Sequence, residues 1–144
     1  MFHNILVPLD GSENANRTLT LAANLAKQSD SQINVLSVFR HHSHIEASIS
    51  MIRPRDPENI DDVLSAHAKV VVDNGKAILR EQGVKKLDAL SKWVWLVKRS
   101  WSLPKNEIDL IVISSKGRGD LTGYLLGGVP HKVAGLAKCP VMVA

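Results

Sequence analysis

One segment of this chain gathers the residue types that hold anions. It reads Ser114-Ser115-Lys116-Gly117-Arg118-Gly119-Asp120, runs through residues 121–126, and closes at Gly127-Gly128-Val129-Pro130. Glycine has no Cβ, so backbone N–H groups at Gly117, Gly127 and Gly128 can approach an oxyanion closely. Pro130 suits the first turn of a helix. That puts Gly127, Gly128 and Val129 at a helix N-terminus, where free N–H groups and the helix dipole favour phosphate. Lys116 and Arg118 add positive charge. Spacing alone leaves a second reading open, a loop whose glycines only let it turn sharply.

A second segment, Val7-Pro8-Leu9-Asp10, ends an apolar run with a carboxylate and continues into Gly11-Ser12. Asp10 can form an Asx-type turn with those two residues. Other reactive side chains carry less. His41, His42 and His44 look like a metal cluster, but no Cys or carboxylate joins them at ligand spacing. Ser12, Asp10 and His131 make no hydrolase triad, because no G-x-S-x-G elbow is present. Cys139 is the one cysteine, which excludes an internal disulfide or a C-x-x-C site. Followed by Pro140, it reads as a small buried residue, and its isolation suits a reducing, cytoplasmic compartment.

These segments need a scaffold, and 144 residues are one domain with a real core, spanning 1–144. Hydrophobic residues at 44% and charged residues at 22% are globular values and exclude disorder as the main state. The longest apolar runs are far too short to span a membrane, and the opening MFHNILVPLD lacks the pattern of a signal peptide. The net charge of +4 is scattered, with local clusters no larger than Lys85-Lys86 and Lys98-Arg99. Nucleic-acid binding would call for a basic stripe, so it is not expected.

Residues 4–9 (NILVPL) read as a strand buried on both faces. Ser12 can cap a helix running to about Gln28, with Ala15, Leu19, Ala22, Ala23 and Ala26 on one face. Residues 33–39 (INVLSVF) form the second strand, and 40–55 a loop. Asp56-Pro57 starts a helix that continues to about Gln82, with Ile60, Leu64, Val71, Ile78 and Leu79 on its apolar face and Gly83 as its C-terminal cap. Residues 84–90 form a weaker strand. Residues 92–106 fall where a helix is expected, although they hold Trp93, Trp95, Trp101 and Pro104. Residues 108–114 form a strongly apolar fourth strand, 129–138 a short helix, and 140–144 (PVMVA) a last strand. Strands alternating with helices predict an α/β fold, a parallel sheet covered on both faces. Ligands of such sheets lie at the carboxyl ends of strands where the strand order reverses. Pro8, Leu9 and Asp10 end strand one, and Ser114 opens the loop after strand four.

The chain resembles the universal stress protein family over nearly its whole length. NILVPLDGSENA, INVLSV, DLIVIS and LLGGVPHKVAGLAKCPVMV carry the resemblance. It implies a doubly wound, Rossmann-like sheet of five parallel strands in the order 3-2-1-4-5. The family's nucleotide motif is Gly-x2-Gly-x9-Gly followed by Ser or Thr, and this sequence has Ser114-x2-Gly117-x9-Gly127-Gly128. The resemblance implies an ATP or AMP site at Pro8, Leu9, Asp10, Val38, Ser114, Lys116, Gly117, Arg118, Gly127, Gly128 and Val129. Asp10 would meet ribose or a nucleotide-bound Mg²⁺, Val38 the adenine, and the glycines and Val129 the phosphates. Without the family, Val38 reads as core packing.

Two motif positions depart. Ser114 puts a Cβ and a hydroxyl where the family's binders keep the backbone bare, which is costly if that position needs positive φ. Gly128 lacks a hydroxyl whose hydrogen bond to phosphate would be worth about 0.5–1.5 kcal/mol. Pro130 also removes one possible donor. These changes weaken the site. The stretch SKWVWLVKRSWSLP at 91–104 departs most from the family and would form an apolar partner surface if exposed.

Three functions compete: a dimeric nucleotide-binding stress-response domain, the same fold as an interaction module without nucleotide, and an enzyme. For the enzyme there is no Ser-Gly-Gly-x-Asp-Ser after strand one and no nucleophile–base pair, which leaves at most slow ATP hydrolysis. The strand order that the resemblance implies puts the uncharged run Val141, Met142, Val143 at a sheet edge, a template for pairing with its own copy across a two-fold axis unless the 40–55 loop or the tryptophan-rich segment shields it. The resemblance implies the same homodimer contact.

Overall fold

A computed structural model describes residues 2–9, 15–39, 57–89, 94–95, 108–115 and 137–144. The elements in chain order are β1 (Asn4–Leu9), α1 (Ala15–Ser29), β2 (Gln32–Phe39), α2 (Pro57–Glu81), β3 (Leu87–Ala89), β4 (Val94–Trp95), β5 (Leu110–Ile113) and β6 (Val141–Val143). The main sheet runs β3-β2-β1-β5-β6, all neighbours parallel. This is the expected order, with β5 and β6 as the fourth and fifth strands. The chain steps outward from β1 to β3, then returns to the other side of β1 for β5 and β6. The order therefore reverses between β1 and β5.

Burial explains why β1 and β5 read as unbroken apolar runs. All residues from Ile5 to Leu9, and all four of β5, are buried. Alternate residues feed two cores, because successive side chains of a strand point to opposite faces. Ile5, Val7, Leu9, Ile33, Val35, Leu110 and Val112 pack with α1 and α2. Leu6, Leu36, Ile111 and Ile113 form the second core, with Cys139 and Val141 packed against it. Each fully buried Leu, Ile or Val contributes about 1.5–3 kcal/mol over an exposed one.

Helix α1 buries Leu19, Ala22, Ala23 and Ala26 as its period predicts, and Thr18 beside them. Helix α2 starts at Pro57 and buries Ala68, Val71, Val72 and Leu79, with Ile78 packed at the margin. The side chains of Ile60 and Leu64, and the expected caps Ser12 and Asp56, lie outside the described set. Gly83 has a φ of 85°, a left-handed cap that glycine adopts without strain.

Two expectations are corrected. The third strand starts later than residue 84. It covers Leu87–Ala89, because the Val84 amide is spent on the Leu79 carbonyl, closing the end of α2. The helix expected over residues 92–106 does not form at Val94–Trp95. Those two residues pair as a strand with Val38 and Phe39. β-branched and aromatic residues prefer an extended backbone, and an adjacent strand offers ladder bonds that outweigh the positional expectation.

Candidate functional site

Strand β1 lies centrally, and its polar groups alternate between neighbours. The His3 carbonyl accepts the Gln32 amide at 2.8 Å, and the Asn4 carbonyl accepts the Asp109 amide at 3.0 Å. Odd residues of β1 therefore face β2, and Asn4, Leu6 and Pro8 face β5. Pro8 has no N–H to give. Towards β2 the ladder continues to Leu9↔Ser37, while towards β5 its pairs are Ile5↔Leu110 and Leu6↔Ile111. The last residues of β5, Val112 and Ile113, pair with β6 instead. Proline thus ends one ladder early and leaves the carboxyl ends of β1 and β5 unjoined, at the point where the strand order reverses.

Four of the expected residues fall within the described strands around that opening. The register Leu6↔Ile111, continued along both strands, brings Leu9 level with Ser114. Val38 follows Ser37, the partner of Leu9, and pairs with Val94. Pro8, Leu9, Val38 and Ser114 are therefore gathered at the carboxyl ends of three adjacent strands. Asp10, Lys116, Gly117, Arg118, Gly127, Gly128 and Val129 lie outside the described residues, as do His41, His42, His44 and His131. Among the described residues, no group of three or more His, Cys, Asp or Glu could hold a metal ion. No described helix is long and apolar enough to cross a membrane.

Two features near this end carried no sequence signal beyond a polar residue in an apolar run. Ser37 is 2% exposed and its hydroxyl has no hydrogen-bond partner. The Thr18 hydroxyl is in the same state. A buried group left so costs about 1–3 kcal/mol. Beyond β5, the Ser115 amide donates to the Ala144 carbonyl at 3.1 Å and the Ala144 amide to the Ile113 carbonyl at 2.8 Å. The end of β6 is thereby bonded to the segment that enters the glycine loop.

The amino ends of the strands are built differently. A pocket of about 170 Å³ is lined by Lys27, Asp30, Ser31, Gly83, Lys85 and Lys86, residues of the two turns that precede β2 and β3. Lys86 Nζ reaches Asp30 Oδ2 at 2.6 Å, and this hydrogen bond and charge hold the Asp30 carboxyl below its ordinary value, with Lys85 adding to the effect. The other lysines suit the carbonyl ends of α1 and α2. Cys139 is half-buried rather than fully buried. Burial, and then the Asp109 carboxylate, push its thiol up, so it is a poor thiolate source.

The model of the universal stress protein family matches residues 1–144. Universal stress protein YxiE of Bacillus subtilis is 28% identical over 146 residues, covering 99% of each chain. Among solved structures, a universal stress protein in complex with cAMP superposes with a TM-score of 0.63 at 19% identity, covering 99% of this chain and 97% of that one. The Archaeoglobus fulgidus universal stress protein in complex with dAMP gives 0.56 at 20% identity, covering 98% and 96%.

Proposed function

The chain belongs to the universal stress protein family, and from that premise we propose that it is a cytoplasmic stress-response domain binding ATP or a related adenine nucleotide. The observation that carries this reading is the opening between β1 and β5, where Pro8 ends the ladder and Leu9 stands level with Ser114. A ligand can enter there without breaking a strand pair. The cAMP and dAMP complexes of structurally similar proteins support an adenine nucleotide as the ligand class.

Asp10 would take the ribose, or a Mg²⁺ ion carried by the phosphates, since hard cations prefer carboxylate and phosphate oxygens. The Val38 backbone would meet the adenine. Gly117, Gly127, Gly128 and Val129 would offer N–H groups to the phosphates, with Lys116 and Arg118 adding charge. Ser114 and Gly128 replace motif residues, so affinity is reduced. Turnover, if present, is confined to slow ATP hydrolysis.

The test is calorimetry at millimolar ATP on the natural chain and on a Ser114→Gly, Gly128→Ser double variant. Binding is expected in both, tighter in the variant. If neither binds, the second reading holds, the same fold acting as a protein-interaction module. The departures at Ser114 and Gly128 favour that alternative.

The functional unit is a homodimer. Among the described strands β6 has β5 as its one neighbour, and Val143 is 39% exposed. Val141, Met142 and Val143 carry no charge to discourage pairing, and an antiparallel copy across a two-fold axis would satisfy the free edge.

A further inference from the structure

We propose that nucleotide binding at the carboxyl ends of β1 and β5 and pairing of β6 with a second copy of this chain reinforce one another through the bond between the Ser115 amide and the Ala144 carbonyl. The inference rests on the nucleotide and dimer reading above and adds its regulation.

The relevant strand is loosely held. β6 is three residues long, and none of its residues is fully buried. It borders β5 alone among the described strands. Three bonds tie the residues flanking it to β5 and to Ser115 just beyond β5. The Ile111 amide donates to the Pro140 carbonyl at 3.0 Å, the Ala144 amide to Ile113 at 2.8 Å, and the Ser115 amide to Ala144 at 3.1 Å. A short, half-exposed edge element of this kind opens at low free-energy cost.

The last of these bonds joins two surfaces with different partners. Ala144 follows β6, the strand that would meet the second copy. Ser115 follows Ser114, which stands level with Leu9 at the nucleotide opening. A second copy that pairs with β6 fixes Val143 and Ala144, and the Ala144 carbonyl then fixes Ser115. A nucleotide that orders the backbone at Ser114 and Ser115 fixes Ala144 in turn. Whichever event comes first removes part of the ordering entropy of the other, which is positive cooperativity without a change of fold. Linkage requires the effect to be reciprocal.

Sedimentation velocity of the full chain over a concentration series, with and without Mg²⁺-ATP, reads the dimer dissociation constant. It is expected to fall about fivefold or more with ATP, the low end of ordinary coupling. Calorimetry below and above that constant should show ATP binding tighter to the dimer, each of its two sites by the square root of that factor. Hydrogen exchange on the natural chain needs no variant, and the amides of Ser115 and Ala144 should slow when ATP is added. Ser115→Pro, which lacks the amide, should abolish the difference in ATP affinity between monomer and dimer whatever its absolute affinity, whereas Ser115→Ala should keep that difference. Unchanged constants in a chain that both dimerises and binds ATP would overturn the coupling and leave the nucleotide reading intact. Absence of ATP binding would remove that reading as well, and a monomer at every concentration would remove the dimer and the coupling together.

Discussion

Gly75 of α2 lies directly over Leu9, so that a Cβ added at position 75 would stand 2.5 Å from Leu9 Cδ1. The missing side chain sets how closely the helix presses on the last residue of β1, beside the carboxyl ends of β1 and β5. Leu19 Cδ2 lies 4.0 Å from the same point, so α1 closes the third side.

Gly75→Ala therefore sets two effects against each other. Alanine favours the helix by about 1 kcal/mol, and overpacking a filled core costs about 1–3 kcal/mol. Leu9 is 3% exposed and has little space to turn. A net loss of about 1 kcal/mol is expected in urea unfolding. A gain in stability would mean that Leu9 swings clear.

Asp109 binds the start of the chain to the start of β5. Its Oδ2 accepts the His3 amide at 2.7 Å and its Oδ1 the Asn4 amide at 3.0 Å. Asp109→Ala leaves both amides without their acceptor and should cost about 1.5–3 kcal/mol, the range for bonds to a charged group. Asp109→Asn keeps one acceptor and should recover part of the loss. Equal stability of all three chains would show that water replaces the carboxylate fully.

The Lys86–Asp30 pair has a defined pH signature. Asp30's folded-state pKa is lowered by its bond to Lys86, so the pair's contribution is present above the unfolded carboxylate value and is lost as pH falls through the folded one. NMR titration of the Asp30 carboxyl should give a midpoint below that of an ordinary aspartate, rising in Lys86→Met. Both groups are exposed, so added salt should shrink the difference.

If the proposed dimer forms through β6, replacing Val141 and Val143 with Lys should give a monomer by light scattering, because ammonium groups would then face their own copies across the axis. Val141 also packs against the second core, so Val143→Lys alone is the milder companion. A dimer mass unchanged in both would move the contact elsewhere, most directly to the residues from Trp93 to Trp101.

The sequence by itself determined the sheet. The apolar runs of β1 and β5 are buried because central parallel strands are covered on both faces, and such runs are visible without a structure. Spacing alone also assigned α1, and Gly83 declared the end of α2, because a left-handed cap has one cheap residue type. Pro8 was legible as a strand residue, but its effect needed tertiary structure. Only the position of β1 between β2 and β5 decides that the missing N–H faces β5 and ends that ladder early. The stretch around Val94–Trp95 misled for a related reason. Position in an alternating pattern suggested a helix, whereas strand pairing depends on a neighbour remote in sequence. The same holds for Ser115 and Ala144, residues with no motif of their own, joined because β5 and β6 lie side by side. Local sequence records what a residue prefers and which way it is buried, and the fold alone decides which partner receives its hydrogen bond.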